Sequence, residues 1–218
     1  MLKAYKYKIN PSDKQKAVLS QFFGCSRWVY NWGLNRKSEH YAETKENISC
    51  FDLGKEITQL KKTEEYSWLR DVHSQVLQTS LRNLDNAYTN FFKRRADFPK
   101  FKKKSVCKDS YREPQVGNQV RVEENNTRLV LPKMKQVKIK GLSKNFEGKI
   151  KSVTVSKSKS GKYFASILVE MENKITKKRK SDNILGIDLG LKEFATCSNG
   201  EIITGIKEKM ESLDKRVR

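Results

Sequence analysis

The sequence is poor in the residues that build covalent or metal scaffolds. Its four cysteines, Cys25, Cys50, Cys107 and Cys197, are widely spaced, with no C-x-x-C pair, and His40 and His73 are the only histidines. That set supports neither a disulfide framework nor a zinc site within this chain; four reduced thiols are the simplest reading. No run of about 18 apolar residues exists, so no membrane helix is expected. The N-terminus, MLKAYKYKIN, alternates instead of presenting an apolar stretch, so no secretory signal is expected. A cytoplasmic, nucleoid-associated protein fits these absences. Acids are scarce too. Against 46 Lys and Arg stand 25 Asp and Glu, a formal charge of +21 over 218 residues. So large an excess implies a polyanionic partner, nucleic acid first, with an acidic protein or a membrane surface as alternatives. The mean hydropathy of −0.77 is low, but 10 % aromatic residues argue for a packed core.

The apolar pattern changes period along the chain. From Leu2 to Ile9 it alternates, Tyr5, Tyr7 and Ile9 against Lys6 and Lys8, which predicts a half-buried strand with a basic outer face. Asn10-Pro11-Ser12-Asp13 reads as a helix start, with Asn10 as cap, Pro11 in the first turn and Asp13 at the capping-box spacing. Val18, Phe22, Cys25, Val29 and Trp32 then mark one helix face. Arg27, Arg36 and Lys37 fall off that face, as do Trp28 and Tyr30, which either pack on a second helix or stack on a base. The polar stretch His40 to Asn47 separates this helix from a shorter one near Asp52 to Lys61. A longer helix is expected from about Val72 to Arg95, with Leu77, Leu81, Leu84, Tyr88 and Phe91 as its stripe. His73, near its start, reads as solvated or capping.

From Ser105 to Met171 short alternating segments follow: Arg121 to Glu123, Arg128 to Leu131, Gln136 to Lys140, the stretch around Val153 and Val155, and Tyr163 to Met171. Asn125-Asn126 and Lys159-Ser160-Gly161 supply turns, the latter a basic hairpin tip. Ser152, Thr154 and Ser156 would face away from the valines. Several short strands imply a small barrel or sandwich. The isolated strand at Leu2 to Ile9 needs partners, so it is expected to pair with this sheet, making the helices an insertion in a β domain. The expected fold class is therefore α+β.

Two stretches concentrate cations. The long helix should end in Lys93-Arg94-Arg95 and be stopped by Pro99, leading into a loop that carries Lys100, Lys102, Lys103 and Lys104 with Phe98 and Phe101 interleaved. The hairpin tip carries Lys157, Lys159 and Lys162. Cations neutralise phosphates and aromatic faces stack bases, so both are candidate backbone contacts, together with Arg27, Arg36 and Lys37.

After the basic stretch Lys174 to Ser181, read as a linker, the segment Ile184 to Leu191 is apolar on both faces but for Asp188, as a central strand would be. A carboxylate buried there needs a partner, a hydrogen bond or a metal. Gly190 lets the chain turn away, Asn199-Gly200 predicts a hairpin, and a helix is expected from Ile206 with Met210, Leu213 and Val217 as its stripe. Three strands and part of a helix cannot cover this strand on both faces, so an exposed apolar edge is expected.

GIDLGLKEFAT, with KYKINPSDKQ at Lys6 to Gln15, CSRWVYNWGL at Cys25 to Leu34 and the block from Gln75 to Lys104, resembles the transposon-encoded OrfB/TnpB proteins, relatives of the type V CRISPR effectors. The resemblance covers nearly the whole chain. It implies an OB-like wedge barrel from residues 1–10 and 105–173, split by a helical insertion at 11–104 described as helix-turn-helix-like. A linker at 174–182 and the start of a ribonuclease-H-like nuclease domain at 183–218 would follow. Asp188 would be the first of three acids holding Mg²⁺ for phosphodiester cleavage, with guide RNA and target DNA as partners. The family's second and third acids and its C-x-x-C zinc ligands find no match here, and Glu193 and Glu201 do not correspond to them. The expectation is thus the N-terminal part of a transposase-like RNA-guided endonuclease, not cleavage-competent alone, with the other half supplied separately if at all. A non-catalytic nucleic-acid-binding regulator or a decayed insertion-sequence fragment is the alternative. An actin-like ATPase, whose phosphate loop also carries G-x-D-x-G, is a third; there a Ser or Thr usually follows, where Leu191-Lys192-Glu193 stands here.

Overall fold

The computed structural model describes residues 1–104, 106–123, 127–141, 148–172, 185–190 and 193–204. The chain divides into two compact units, Met1–Asn173 and Lys174–Arg218. The first is a curled antiparallel sheet with three α-helices.

The first strand, β1, spans Leu2–Asn10. It runs one residue past Ile9, and Asn10 pairs with Lys138. Asn10 is therefore a strand residue and not the helix cap. The cap is Ser12: its hydroxyl accepts from the Gln15 backbone N–H, and Gln15 Oε1 accepts from the Ser12 N–H at 3.0 Å, a closed capping box. Gln15 also donates through Nε2 to the carbonyl of Gln136 at 2.8 Å, which ties the helix start to the sheet.

Helix α1 covers Asp13–Thr44. It continues into the polar stretch expected to separate two helices and ends at Lys45, whose φ of 60° reverses the chain. Phe22, Cys25 and Val29 are buried as their spacing predicts, with Val18 and Trp32 packed at the margin; Leu19, Phe23, Tyr30 and Leu34 are buried as well. A helix this long touches neighbours on more than one side, so a single stripe understates its core. Helix α2, Cys50–Leu60, is capped by Ser49. A 3₁₀ turn at Ser67–Asp71 leads to α3, Ser74–Phe92. Helices α1 and α3 meet at Gly33, where a Cβ would stand 2.9 Å from Leu81 Cδ2.

Helix α3 stops well before Pro99. Arg94 adopts a left-handed φ of 55°. Its N–H donates to the Phe91 carbonyl at 2.9 Å, and that of Arg95 to Asn90 at 2.8 Å. This is the six-to-one and five-to-two pattern that satisfies the last carbonyls of a helix. The left-handed turn, not the proline, ends the element.

The remaining strands of the first unit are β2 (Ser110–Pro114), β3 (Arg121–Glu123), β4 (Arg128–Leu131), β5 (Lys135–Lys140), β6 (Lys149–Lys157) and β7 (Tyr163–Glu170). Their order across the sheet is β2-β6-β7-β1-β5-β4-β3. The N-terminal strand thus sits at the centre, paired with β7 from Leu2↔Glu170 to Ile9↔Tyr163 and with β5 on its other side. The helices between β1 and β2 are an insertion in this sheet, as expected. Strand β2 is not apparent from the sequence, because Glu113 occupies one of its inward positions. Ser152 and Ser156 are buried, although the alternation places them opposite Val153 and Val155. Arg112 Nε donates to the Ser152 hydroxyl at 3.2 Å, and Phe164 is the cross-strand neighbour of Ser156, which covers that face as well.

The sheet has to curl. Its edge strands β2 and β3 are joined by only six residues, Gln115 to Val120. Those residues reach at most about 24 Å, whereas six flat interstrand spacings would need about 29 Å. The Gln115 side chain closes the gap locally, donating to the Val120 carbonyl at 2.8 Å and accepting from its N–H at 2.9 Å. The inner face holds Ile9, Leu129, Val137, Val153, Val155, Ile167 and Val169, and α1 and α3 cover it. Phe22 and Phe23 of α1 pack on Tyr111 of β2 with ring centroids 5.0 and 5.8 Å apart.

In the second unit β8 (Ile187–Asp188), β9 (Ala195–Cys197) and β10 (Ile202–Ile203) form a three-stranded antiparallel sheet in the order β10-β9-β8. The Asn199-Gly200 hairpin forms as expected: Gly200 has φ 86°, and Cys197 N–H donates to Glu201 at 2.8 Å. A Cβ at Gly190 would lie 2.9 Å from the Glu193 carbonyl, so the turn after β8 needs glycine there. Leu185, Ile187 and Leu189 are 51 %, 58 % and 70 % exposed. The expected exposed edge is therefore present, and Asp188 is exposed with it. The expectation of a carboxylate in buried surroundings is corrected: the short strand has nothing over either face among the described residues. The turn at Asn125-Asn126, the linker Lys174 to Ser181 and the helix from Ile206 lie outside the described residues.

Candidate nucleic-acid interface

The cations singled out by their sequence pattern divide into three kinds. Arg27, Arg36 and Lys37 on α1 are braces. Arg27 Nη1 lies 2.9 Å from Asp109 Oδ1, and Arg36 Nε 3.0 Å from Glu56 Oε2. Lys37 is buried, 3.0 Å from Asp85 Oδ1, and also donates to the Ile48 carbonyl. Their charges are matched within the fold, so they contribute little free field at the surface.

The second kind is free surface charge. Lys93, Arg94, Arg95, Lys103 and Lys104 are exposed. Lys100 is exposed as well, its ammonium 3.6 Å from Asp97, a separation worth little in water. At the hairpin tip Lys159 and Lys162 are exposed, and Lys157 is half-buried with Nζ 5.7 Å from the Tyr163 ring centroid. The interleaved aromatics split. Phe98 packs edge-on against Tyr88 and Phe91, at 5.5 and 5.3 Å, yet stays 48 % exposed; Phe101 is 55 % exposed. Trp28 is held among Trp32, Tyr66 and Trp68, and Tyr30 is buried against Leu34 and Leu84. Both therefore pack within the fold, the first of the two roles open from the sequence.

Lys102 is a third kind. The Asn31 side chain clamps its backbone, accepting from the Lys102 N–H at 2.8 Å and donating to its carbonyl at 3.0 Å. Its ammonium turns inward and sits 3.7 Å from the Tyr30 ring centroid. Burial pulls this ammonium below the ordinary lysine range.

The hairpin, the loop and α1 converge. The Lys157 N–H donates to the Asp109 carbonyl at 2.9 Å, and the Asp109 carboxylate holds Arg27. The root of the basic hairpin, the end of the basic loop and the middle of α1 therefore meet at the start of β2. Lys108, exposed beside Asp109, joins them; its lone position in a polar segment gives no pattern to find it by.

Around Asp188 the arrangement is sparse. Glu193 accepts from the Thr196 hydroxyl at 3.5 Å, and Glu201 is exposed. A magnesium ion takes several hard oxygen ligands. Among the described residues no three His, Cys, Asp or Glu side chains converge to hold a metal, so these residues do not by themselves fit such an ion. All four cysteines are free. No helix among the described residues is long and apolar enough to cross a membrane.

A family model described as a helix-turn-helix domain, HTH_OrfB_IS605, matches residues 1–46, which here form β1 and the single continuous helix α1. InsQ of Escherichia coli (strain K12), a candidate RNA-guided DNA endonuclease, is 34 % identical over 217 residues, 100 % of this chain and 52 % of that protein. A candidate RNA-guided DNA endonuclease of Streptomyces pristinaespiralis is 34 % identical over 211 residues, 95 % of this chain and 50 % of that one. One chain of the cryo-EM structure of a Cas12f1-sgRNA-target DNA complex matches with a TM-score of 0.41 and 11 % identity, covering 99 % of this chain and 59 % of that one, a likeness too loose to build on. The chain spans about half the length of the curated relatives it matches. With sequence identity running from end to end and the family model at its start, the chain belongs to the transposon-encoded OrfB/TnpB family.

Proposed function

We propose that this chain is a nucleic-acid-binding part of an RNA-guided DNA endonuclease, engaging guide RNA and target DNA through the basic loop at Lys93 to Lys104 and the hairpin tip at Lys157 to Lys162. The observation that carries this reading is the contrast among the cations. The three on α1 are matched by acids, while Lys93, Arg94, Arg95, Lys103, Lys104, Lys159 and Lys162 are exposed. Matched charge braces a fold; exposed, clustered charge binds phosphate and releases counterions. In the same reading 11–104 acts as the recognition insertion, 1–10 with 105–173 as the wedge, and 183–218 as the start of a ribonuclease-H-like unit with Asp188 as one Mg²⁺ ligand.

Binding of labelled RNA and duplex DNA across a salt series tests the interface. Each phosphate contact adds about 0.9 to the log–log slope on duplex DNA. Reversing Lys103 and Lys104 to Glu should flatten the slope by about two such increments, and an unchanged slope would remove these lysines from the interface.

A second reading, a binding protein without nuclease activity of its own, is favoured by the exposed position of Asp188 with no converging ligands among the described residues. Mg²⁺-dependent cleavage of a plasmid by the purified chain with its guide RNA, lost in Asp188→Ala, would falsify it.

A further inference from the structure

Beneath the point where the loop, the hairpin root and α1 meet lies a cavity of about 260 Å³, lined by Arg27, Lys102, Cys107, Lys108, Asp109 and Ser110 over the buried ring of Phe23. Three cations and one carboxylate give it a net charge of +2 (three minus one). The carboxylate is already committed to Arg27 at 2.9 Å, so among the described residues Lys102 and Lys108 line the space without an acid of their own. Of these, Lys102 is the telling residue. Exposed Lys103 and Lys104 beside it have solvent, but its ammonium is half-buried, with the Tyr30 ring as its contact at 3.7 Å. A desolvated ammonium without a counter-ion is an unfavourable arrangement. The Asn31 clamp nevertheless holds its backbone there with two hydrogen bonds.

We propose that this cavity is a phosphate-binding pocket that takes one phosphate group of a nucleic-acid strand, with Lys102 and Lys108 as its charge and Arg27, fixed by Asp109, as its wall. The volume lies below the roughly 300–1,000 Å³ of sites for drug-sized ligands, which suits one phosphate with adjoining sugar atoms and not a whole nucleotide. An anion there supplies a counter-ion that none of the described residues gives Lys102. The site rests on the nucleic-acid reading above and deepens it: a walled pocket would fix where along the strand the exposed lysines engage, as an open charged surface cannot.

The test uses the full chain with isotope-labelled lysine side chains. Inorganic phosphate should shift the Lys102 side-chain resonance saturably. Lys102→Met keeps the aliphatic stem and removes the charge. It should lower affinity for a mixed-sequence oligonucleotide about tenfold, reduce the salt slope by about one contact, and leave the melting temperature equal or higher, since a half-buried charge with no acid beside it among the described residues has gone. Lys14→Met removes the same charge from the exposed start of α1 and serves as the reference. Oligonucleotide affinity in Lys102→Met equal to that of wild type, or a lowered melting temperature with a phosphate-insensitive Lys102 resonance, would overturn the pocket and make Lys102 a structural cation over Tyr30. Saturable phosphate binding in a wild-type chain that binds no oligonucleotide would sink the nucleic-acid reading and with it the strand as the source, leaving a site for free phosphate.

Discussion

His73 Nδ1 lies 2.6 Å from Glu113 Oε1, joining the residue that precedes α3 to an inward position of β2. Glu113 is 1 % exposed, and its other oxygen, Oε2, finds no hydrogen-bond partner among the described residues. The histidine whose place suggests a solvated or capping role makes no side-chain cap bond and instead crosses to the sheet. Burial raises the Glu113 carboxyl above the ordinary value of 4.5, against the smaller lowering effect of the bond and charge of His73.

The sign of the resulting pH dependence follows. A proton held more tightly in the folded than in the unfolded state stabilises the fold. That contribution is complete below the unfolded value near 4.5 and is lost as pH rises through the higher folded value. Glu113→Gln cannot titrate. Thermal unfolding of both proteins should therefore show the variant gaining on the wild type as pH rises from 4.5. A constant difference would mean that Glu113 titrates as in the unfolded chain.

Arg94 occupies a left-handed position, where a side chain costs roughly 1 kcal/mol or more and glycine is free of that cost. Glycine loses more backbone entropy on folding, which offsets part of the gain. Arg94→Gly should stabilise the protein by about 0.5 kcal/mol in urea unfolding, while weakening nucleic-acid binding by about one phosphate contact. Loss of stability would show that the arginine side chain makes a contact worth more than the strain.

Gln115 satisfies both backbone groups of the buried residue Val120. Gln115→Ala leaves that N–H and C=O unpaired, at about 1–3 kcal/mol for such an orphaned group. The midpoint of urea unfolding should fall accordingly. A midpoint unchanged within error would mean that water replaces the amide and that the two sheet edges need no bridge.

Asp188 tests the opposite case. It is exposed, so Asp188→Ala should change stability by no more than about 0.5 kcal/mol. A large destabilisation would place Asp188 in a structural network. A large stabilisation would point to a repelled, functionally retained charge.

The elements legible in the sequence are those whose pattern is local. β1, the hairpin between β6 and β7, the stripe of α3 and the Asn199-Gly200 turn all follow from period or turn chemistry within a few residues. What stayed hidden depends on partners far along the chain. Glu113 disguises β2, because an acid at an inward position makes sense only with His73, 40 residues away, beside it. Lys37 reads as a surface cation until Asp85 and the Ile48 carbonyl are seen around it. Ser12 outcompetes Asn10 as cap because β5 claims Asn10 for the sheet. The same holds for the interface. Clusters of lysine mark the surface from composition alone, but which cations are spent within the fold, and that Lys102 points inward, depend on Asp109, Glu56 and Asn31.

The central place of β1 also bears on how the chain is made. Lys3 pairs with Val169 and Ile9 with Tyr163, so one edge of β1 waits for a strand made at the far end of this unit. Helices α1 to α3, built from nearer contacts, can pack long before that. Until β5 is made, β1 must wait with both hydrogen-bonding edges open, and until β7 follows, with one; Lys3, Lys6 and Lys8 are well placed to keep it from pairing with other nascent strands.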